Sequence, residues 1–379
     1  MRLIINCSSL SSTGPVQVAI SFIKECIYHD ENNYLVFMST IVASLIDKDD
    51  YPANFQFVTF SHHPAKGMKG FFTRREMKKY EYSYKPDCVF TLFGPSVWKP
   101  KAVHLQGFAY GHYIYEDSPA FQLMSIKERL HRKVLKAAHV FHLKRDGDFY
   151  VCETEDVTKR VCRLLNIKAE NCFTVTNTYS HFFELFVPRT ERITPMVNDR
   201  EVFRFLLLSS PHPHKNLTIL NSVIPIILSS HLPIEIRFVV TISNDAYYKL
   251  FSKEARILID NIGPLQPKDC PQAYFETDAL FSPTLLECFS ANYPEAMIMR
   301  RPILTTDLPF AHSICADAAL FYSPLDAEDA ASKIIQLVSD ASLREELIQK
   351  GVKRLSYFCS PEERAMRYLQ ICKTISKIE

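Results

Sequence analysis

Glu287 and Glu295 stand eight positions apart in the run Leu286-Glu287-Cys288-Phe289-Ser290-Ala291-Asn292-Tyr293-Pro294-Glu295-Ala296-Met297. An apolar strand ending near Ser282 feeds the loop that holds Glu287. Pro294 sits where a helix can begin, because proline is tolerated in the first turn. The backbone N–H groups of Ser290, Ala291, Asn292 and Tyr293 would then be uncapped donors at the positive end of a helix. Such an end carries about +0.5 charge and suits a diphosphate. Glu295, in the first turn, can face the same place and accept hydrogen bonds from two sugar hydroxyls. Upstream, His214-Lys215-Asn216-Leu217 follows the apolar run Phe203–Leu208. A lysine at a strand-to-helix turn acts on phosphate as a compact point charge. Taken singly, the two glutamates also read as surface carboxylates and Lys215 as a solvated helix start.

The elements that must position these residues alternate. Short apolar runs are predicted as strands at Leu3–Ile5, Tyr34–Met38, Phe55–Phe60, Cys88–Leu92 and Phe149–Cys152. Amphipathic helices are predicted over Val16–Ile27, Phe121–Ala138 and Glu155–Leu165. The rhythm fades over Pro188–Arg200, which reads as a polar, turn-rich linker. It restarts at Phe203–Leu208 and runs through Ile236–Val240, Ala279–Phe281, Ile303–Leu304 and Leu320–Tyr322. Helices over Leu325–Ser339, Ser342–Lys350 and Pro361–Lys373 follow, the last capped by Ser360. Strands alternating with helices predict parallel sheets covered on both faces. The expected division is an N-terminal Rossmann-like domain over residues 1–190 and a C-terminal one over 191–359. The helix in 360–379 is expected to pack back on the first.

Composition narrows the classes. With 47% hydrophobic and 23% charged residues and a net charge of +2, the 379-residue chain is an ordinary globular protein, not a whole-surface nucleic-acid binder. Only 9 glycines occur, and neither a G-x-G-x-x-G nor a P-loop pattern is present. The 11 cysteines include no C-x-x-C pair, which predicts buried thiols in a reducing cytoplasm. No stretch approaches ~20 apolar residues, so any membrane contact would be peripheral. Two basic stretches offer such a contact. Lys66–Lys79 carries six Lys/Arg against Glu76, with Met68, Phe71, Phe72 and Met77 interleaved. Lys127–Lys136 carries five against Glu128. Asp146-Gly147-Asp148 reads as a solvated turn rather than a metal site. His62-His63 lacks a ligand pattern, and no metal site is expected.

The ordered set resembles the retaining glycosyltransferases of family 4. Glu287 and Glu295 resemble that family's Glu-x7-Glu motif, His214-Lys215-Asn216 its His-Lys-Asn element, and Asp307-Leu308-Pro309 its Asp-x-Pro element. Val151-Cys152-Glu153-Thr154-Glu155 and Val175-Thr176-Asn177 are similar to its first-domain exit segments. Cys288, Ser290 and Ala291 stand where the family usually has glycines, and the arginine usual ahead of the lysine is missing near Ser210. The resemblance implies a GT-B fold, two Rossmann-like doubly wound domains facing each other across a cleft. It also implies transfer of a sugar from a nucleotide sugar to a glycan or lipid-linked acceptor with retention, in surface polysaccharide biosynthesis.

The resemblance further implies roles. Glu295 would bind the ribose hydroxyls, Glu287 the donor sugar and Lys215 the diphosphate. Gly14, Leu265, Ser290, Ala291, Asn292 and Tyr293 would complete the donor-nucleotide set. His104, in Val103-His104-Leu105-Gln106-Gly107, would be the catalytic histidine of the acceptor side, with His112 as its alternative. Both histidines also read as structural, and Gly14 as an ordinary turn glycine. No cofactor or metal is expected. The expected location is the cytoplasm, with possible contact to an anionic inner membrane face. The alternatives are a sugar-nucleotide epimerase of the same fold, or a non-catalytic nucleotide- or carbohydrate-binding protein.

Overall fold

A computed structural model describes residues 1–11, 13–195 and 201–377. Ser12, and Asn198, Asp199 and Arg200 of the expected linker, lie outside the described residues. The first sheet has seven parallel strands: β1 Arg2–Cys7, β2 Asn33–Ser39, β3 Phe55–Phe60, β4 Cys88–Thr91, β5 Val103–Gly107, β6 Phe149–Cys152 and β7 Cys172–Thr174. Their order is β3-β2-β1-β4-β5-β6-β7. The second has six: β8 Val202–Leu207, β9 Glu235–Val240, β10 Ile259–Asn261, β11 Ala279–Ser282, β12 Ile303–Thr306 and β13 Leu320–Tyr322. Their order is β10-β9-β8-β11-β12-β13. Both are doubly wound, with the winding direction reversing between β1 and β4 and between β8 and β11.

Unbroken apolar strands arise because both faces are covered. Leu3 and Ile5 pack with Val16, Ala19 and Ile23 of the helix Thr13–Glu25 and with Tyr368, Leu369 and Cys372. Ile4 points to the other face, with Phe37, Val89, Trp98 and Met77. In the second sheet Phe205, Leu207, Phe238 and Phe281 pack with Ile224, Ile334 and Leu337.

The chain forms two compact units. One joins Met1–Ile114, Leu130–Asn177 and the segment from Cys359; the other joins Tyr115–Arg129 with Thr178–Phe358. The helix Pro361–Ile375 belongs to the first unit. Ser360 and Glu363 form a capping box, and buried Arg364 reaches Asn177 and the Ser21 hydroxyl. Two differences from the sequence reading concern the boundary. The turn-rich segment before Met196 is fastened to the second unit rather than bridging the two. Its Ile193 and Thr194 amides donate to the Glu276 carboxylate at 3.0 and 2.8 Å. Tyr115–Arg129, expected in the first domain, packs with the second unit; Ser118 Oγ donates to the Leu285 carbonyl at 2.7 Å.

Val103–Gly107, which from the sequence alone reads as the segment following a strand, is itself the strand β5. Gly107 allows it: a Cβ there would lie 1.6 Å from the Leu92 carbonyl oxygen. The long basic helix runs over Ile126–Asp146, later than the expected Phe121–Ala138, because Pro119–Leu123 forms a separate 3-10 turn. The eleven cysteines are free thiols, most of them buried.

Candidate nucleotide site

The reversal between β8 and β11 brings two loops together at the carboxyl ends of the central strands of the second unit. Open α/β sheets bind ligands at such points. Beyond β8 the chain makes a 3-10 turn over Pro213–Lys215, and the Lys215 amide donates to the His212 carbonyl at 2.9 Å. Asn216 ends the turn at φ 51°, a left-handed conformation that asparagine tolerates better than most residues. Beyond β11, the Leu285 amide donates to the His214 carbonyl at 2.8 Å, stitching the two loops. Across that seam the Lys215 ammonium pairs with Glu287 Oε1. The Thr284 hydroxyl donates to the same oxygen at 3.1 Å. The two charged side chains are only 20% and 14% exposed, so the pair is partly desolvated and losing either partner leaves an uncompensated charge.

Glu295 lies on the helix Asn292–Ile298, which starts two residues ahead of the expected Pro294. Proline therefore occupies the third position of the first turn, where its missing N–H still costs no intrahelical bond. The earlier start corrects the expectation for Tyr293. Its amide donates to the Ser290 carbonyl at 3.3 Å, and its fully buried ring places its hydroxyl 2.8 Å from that of Thr305. Tyr293 therefore secures the helix and offers no donor to a ligand. The first i−4 bond runs from the Glu295 amide to Ala291, at 3.0 Å. The amides of Ala291 and Asn292 thus lie ahead of the helical ladder, and Ala291 supplies no side-chain cap. The Asn292 side chain donates to the Leu208 carbonyl at 2.6 Å and fixes this end to β8. Ser290 is buried in the approach loop. Leu265 is half-buried in the loop beyond the edge strand β10.

The Tyr274 hydroxyl, from the helix Cys270–Phe275, lies 3.2 Å from Glu295 Oε2 and 3.2 Å from the Asn292 carbonyl. Burial raises the Glu295 carboxyl to about 7, and the Tyr274 hydrogen bond offsets part of that rise. Burial also pushes the Tyr274 phenol well above its ordinary value, so it stays a donor. Tyr274, Thr284 and Ser118 are the supporting residues that sequence reasoning missed. Their partners are 21, 3 and 167 positions away, and of these only the Thr284–Glu287 spacing is local enough to have signalled a contact.

In the first unit His104 lies within β5, fully buried. Its Nδ1 is 2.7 Å from the Asp146 carbonyl oxygen and its Nε2 2.8 Å from Thr91 Oγ1. A carbonyl only accepts, so Nδ1 carries the proton and Nε2 accepts from Thr91, whose oxygen accepts in turn from Asn6 Nδ2 at 3.0 Å. Burial holds the ring down at about 4. Both ring positions are committed to the sheet, which corrects the catalytic reading of His104. The reason is that its segment is an interior strand. His112 is half-buried on the one-turn helix Gly111–Ile114 and remains the acceptor-side candidate. Gly14 lies in the first turn of Thr13–Glu25, and nothing stands within 4 Å of where its Cβ would be; no turn geometry or packing requires glycine there. Asp148, itself exposed, binds Lys99 at 2.6 Å and accepts from the His104 amide at 3.0 Å, while Asp146 is buried, so Asp146-Gly147-Asp148 is a turn that meets solvent at Asp148 and braces the start of β5. Among the described residues no cluster of three or more His, Cys, Asp or Glu could hold a metal.

Residues 198–354 match the family of glycosyl transferases group 1. The matched segment lies within the second unit and contains Lys215, Glu287 and Glu295. No curated protein matches the chain in sequence. Solved structures match over its whole length. A glycosyltransferase from Rickettsia africae superposes with a TM-score of 0.75 at 16% identity, covering 100% of this chain and 99% of the other. An Anabaena protein, HepE, solved with UDP and glucose, gives 0.68 at 15% identity with both chains fully covered. WaaG, a glycosyltransferase involved in lipopolysaccharide biosynthesis, gives 0.70 at 14% identity, covering 98% and 99%. The chain has the GT-B fold, with two Rossmann-like parallel sheets. No helix among the described residues is long and apolar enough to cross a membrane.

Proposed function

We propose that the chain is a retaining glycosyltransferase whose second unit holds the nucleotide-sugar donor. The observation that carries this reading is the Lys215–Glu287 pair at the strand reversal, with Glu295 on the following helix. A lysine ammonium has three donor hydrogens, so Lys215 can keep Glu287 while binding the donor diphosphate. As the glycosidic bond breaks, charge grows on that diphosphate. Lys215 and the amides of Ala291 and Asn292 stabilise it in place, which accelerates the reaction to the extent that the contact strengthens in the transition state. Glu287 accepts from hydroxyls of the donor sugar, and Glu295 from those of the ribose. Departure and attack take place on the same face of the sugar, and no metal or cofactor is required. The acceptor is a glycan or a lipid-linked glycan of a surface polysaccharide. The exposed Met68, Phe71 and Phe72, flanked by Lys69, Arg75, Lys78 and Lys79, meet an anionic membrane face. Arg74 is excluded from that role because it holds the Pro64 carbonyl, and Met77 because it is buried in the core.

HepE was solved with UDP, so UDP is the first probe. UDP is expected to raise the melting temperature of the wild type by the linkage of binding to folding, about 2.7 kcal/mol at 100 times its Kd. It should do so far less in Glu295→Ala, and turnover of a UDP-sugar should survive EDTA. Equal shifts in both proteins would remove the ribose role, and an EDTA loss restored by Mg²⁺ would overturn the metal-free mechanism.

A further inference from the structure

At the carboxyl ends of β1, β2 and β3, wholly within the first unit, lies a cavity of about 570 Å³. That size suits a small organic ligand. Its wall has an unusual balance. Ser8, Ser39 and Ser61 each follow or end a different strand and supply hydroxyls, as do Ser11 and Thr40. Lys66, Lys69, His62 and His63 supply the cationic and N–H groups, and no aspartate or glutamate lines it. Among the described residues neither Lys66 nor Lys69 forms an ion pair. Burial and the Lys66 charge both lower the pKa of the His63 ring. Its Nδ1 accepts from the Ala65 amide at 3.1 Å, and its ring also bonds the Ser9 backbone, so His63 shapes the wall and leaves anion binding to the lysines and His62. Met68, 71% exposed, stands on the rim.

We propose that this cavity binds a phosphorylated sugar or polyol as the acceptor group, with phosphate on the Lys66, Lys69 and His62 side and hydroxyls on the serine side. Two cations without a carboxylate favour an anion, and ammonium and imidazole N–H groups make charge-assisted bonds to phosphate oxygens. A wall of serine and threonine hydroxyls both donates and accepts, as a polyol requires. The phosphate belongs either to a free sugar phosphate or to a lipid headgroup whose chain runs over Met68. This assignment rests on the glycosyltransferase reading, but it concerns residues that the nucleotide does not use.

The test is calorimetry on the full chain with glucose 6-phosphate, glucose and inorganic phosphate, and flotation with phosphatidylglycerol vesicles. The variants are His62→Ala/Lys66→Gln/Lys69→Gln in the cavity and, outside it, Lys24→Gln/Lys159→Gln at two exposed positions, which remove the same number of lysine charges. Glucose 6-phosphate should bind more tightly than glucose or phosphate. The cavity variant should lose at least ~tenfold, since each charge-assisted bond is worth about that factor or more, and the outer variant should stay near wild type. Should the triple variant unfold, Lys66→Gln alone supplies the comparison. Vesicle binding that glucose 6-phosphate displaces identifies a lipid source; sugar-phosphate binding that leaves vesicle binding absent or undisplaced identifies a free one. Equal losses in both variants, or vesicle binding with no affinity for glucose 6-phosphate, would overturn the proposal in favour of diffuse surface charge. UDP binding in the same samples reports on the second unit separately. If UDP fails and glucose 6-phosphate binds, the donor reading falls and the cavity stands.

Discussion

Replacing Glu295 by glutamine keeps the shape of the side chain and removes its titration. In the empty protein the carboxyl is raised from its ordinary 4.5 to about 7 by burial. A ribose whose hydroxyls donate to Glu295 needs the ionised form. If only that form binds, the apparent Kd scales as one plus the ratio of protonated to ionised carboxyl. With a pKa near 7 that ratio is about 10 at pH 6 and about 0.1 at pH 8. Affinity should therefore tighten roughly tenfold between those values, or about 1.4 kcal/mol. The fold responds in the opposite sense. Because the folded-state value lies above the unfolded one, the folded protein holds this proton more firmly. This carboxyl's contribution to stability falls as pH rises from about 4.5 to 7. Glu295→Gln should accordingly lose its melting-temperature disadvantage above pH 7 while binding nucleotide weakly and with a flat pH profile. The assay is calorimetric titration with a UDP-sugar, whose diphosphate is esterified at both ends and does not titrate in this range. A wild-type affinity that is flat from pH 6 to 8 would refute the reasoning. So would the same slope in Glu295→Gln, which would assign the titration to other groups.

Three further outcomes are expected. Lys215→Ala should lower kcat by roughly 10²–10³, about 3–4 kcal/mol, with a smaller change in UDP affinity; a loss confined to Kd would make Lys215 an anchor only. Lys69→Glu/Arg75→Glu/Lys78→Glu should abolish salt-sensitive flotation with anionic vesicles while the UDP-induced melting shift persists; unchanged flotation would assign that helix face to solvent. His104→Leu should lower stability by about 1–3 kcal/mol by stranding Thr91 and the Asp146 carbonyl, with UDP affinity unchanged; a stable protein with lost turnover would return His104 to catalysis.

The apolar runs Leu3–Ile5, Phe55–Phe60 and Phe203–Leu208, the restart of their rhythm near residue 203 and the cap at Ser360 were all legible in the sequence. Each is written in neighbours a few positions apart, where pleat, helical period and capping act. The order of Lys215, Glu287 and Glu295 was legible for the same reason, since each lies on a short run with its own turn chemistry. Only the tertiary structure decided that Lys215 meets Glu287 across 72 positions. It also decided that Tyr274 reaches Glu295, and that the helix begins before Pro294 and so spends the Tyr293 amide. His104 shows the limit most plainly. Its run Val103–Gly107 is short enough to read as a loop beside a strand, and an exposed and a buried histidine have the same letter. Pairing of β5 between β4 and β6 buried it, and burial, which depends on neighbours from distant parts of the chain, turned a candidate catalyst into a fixed hydrogen-bonding member of the sheet.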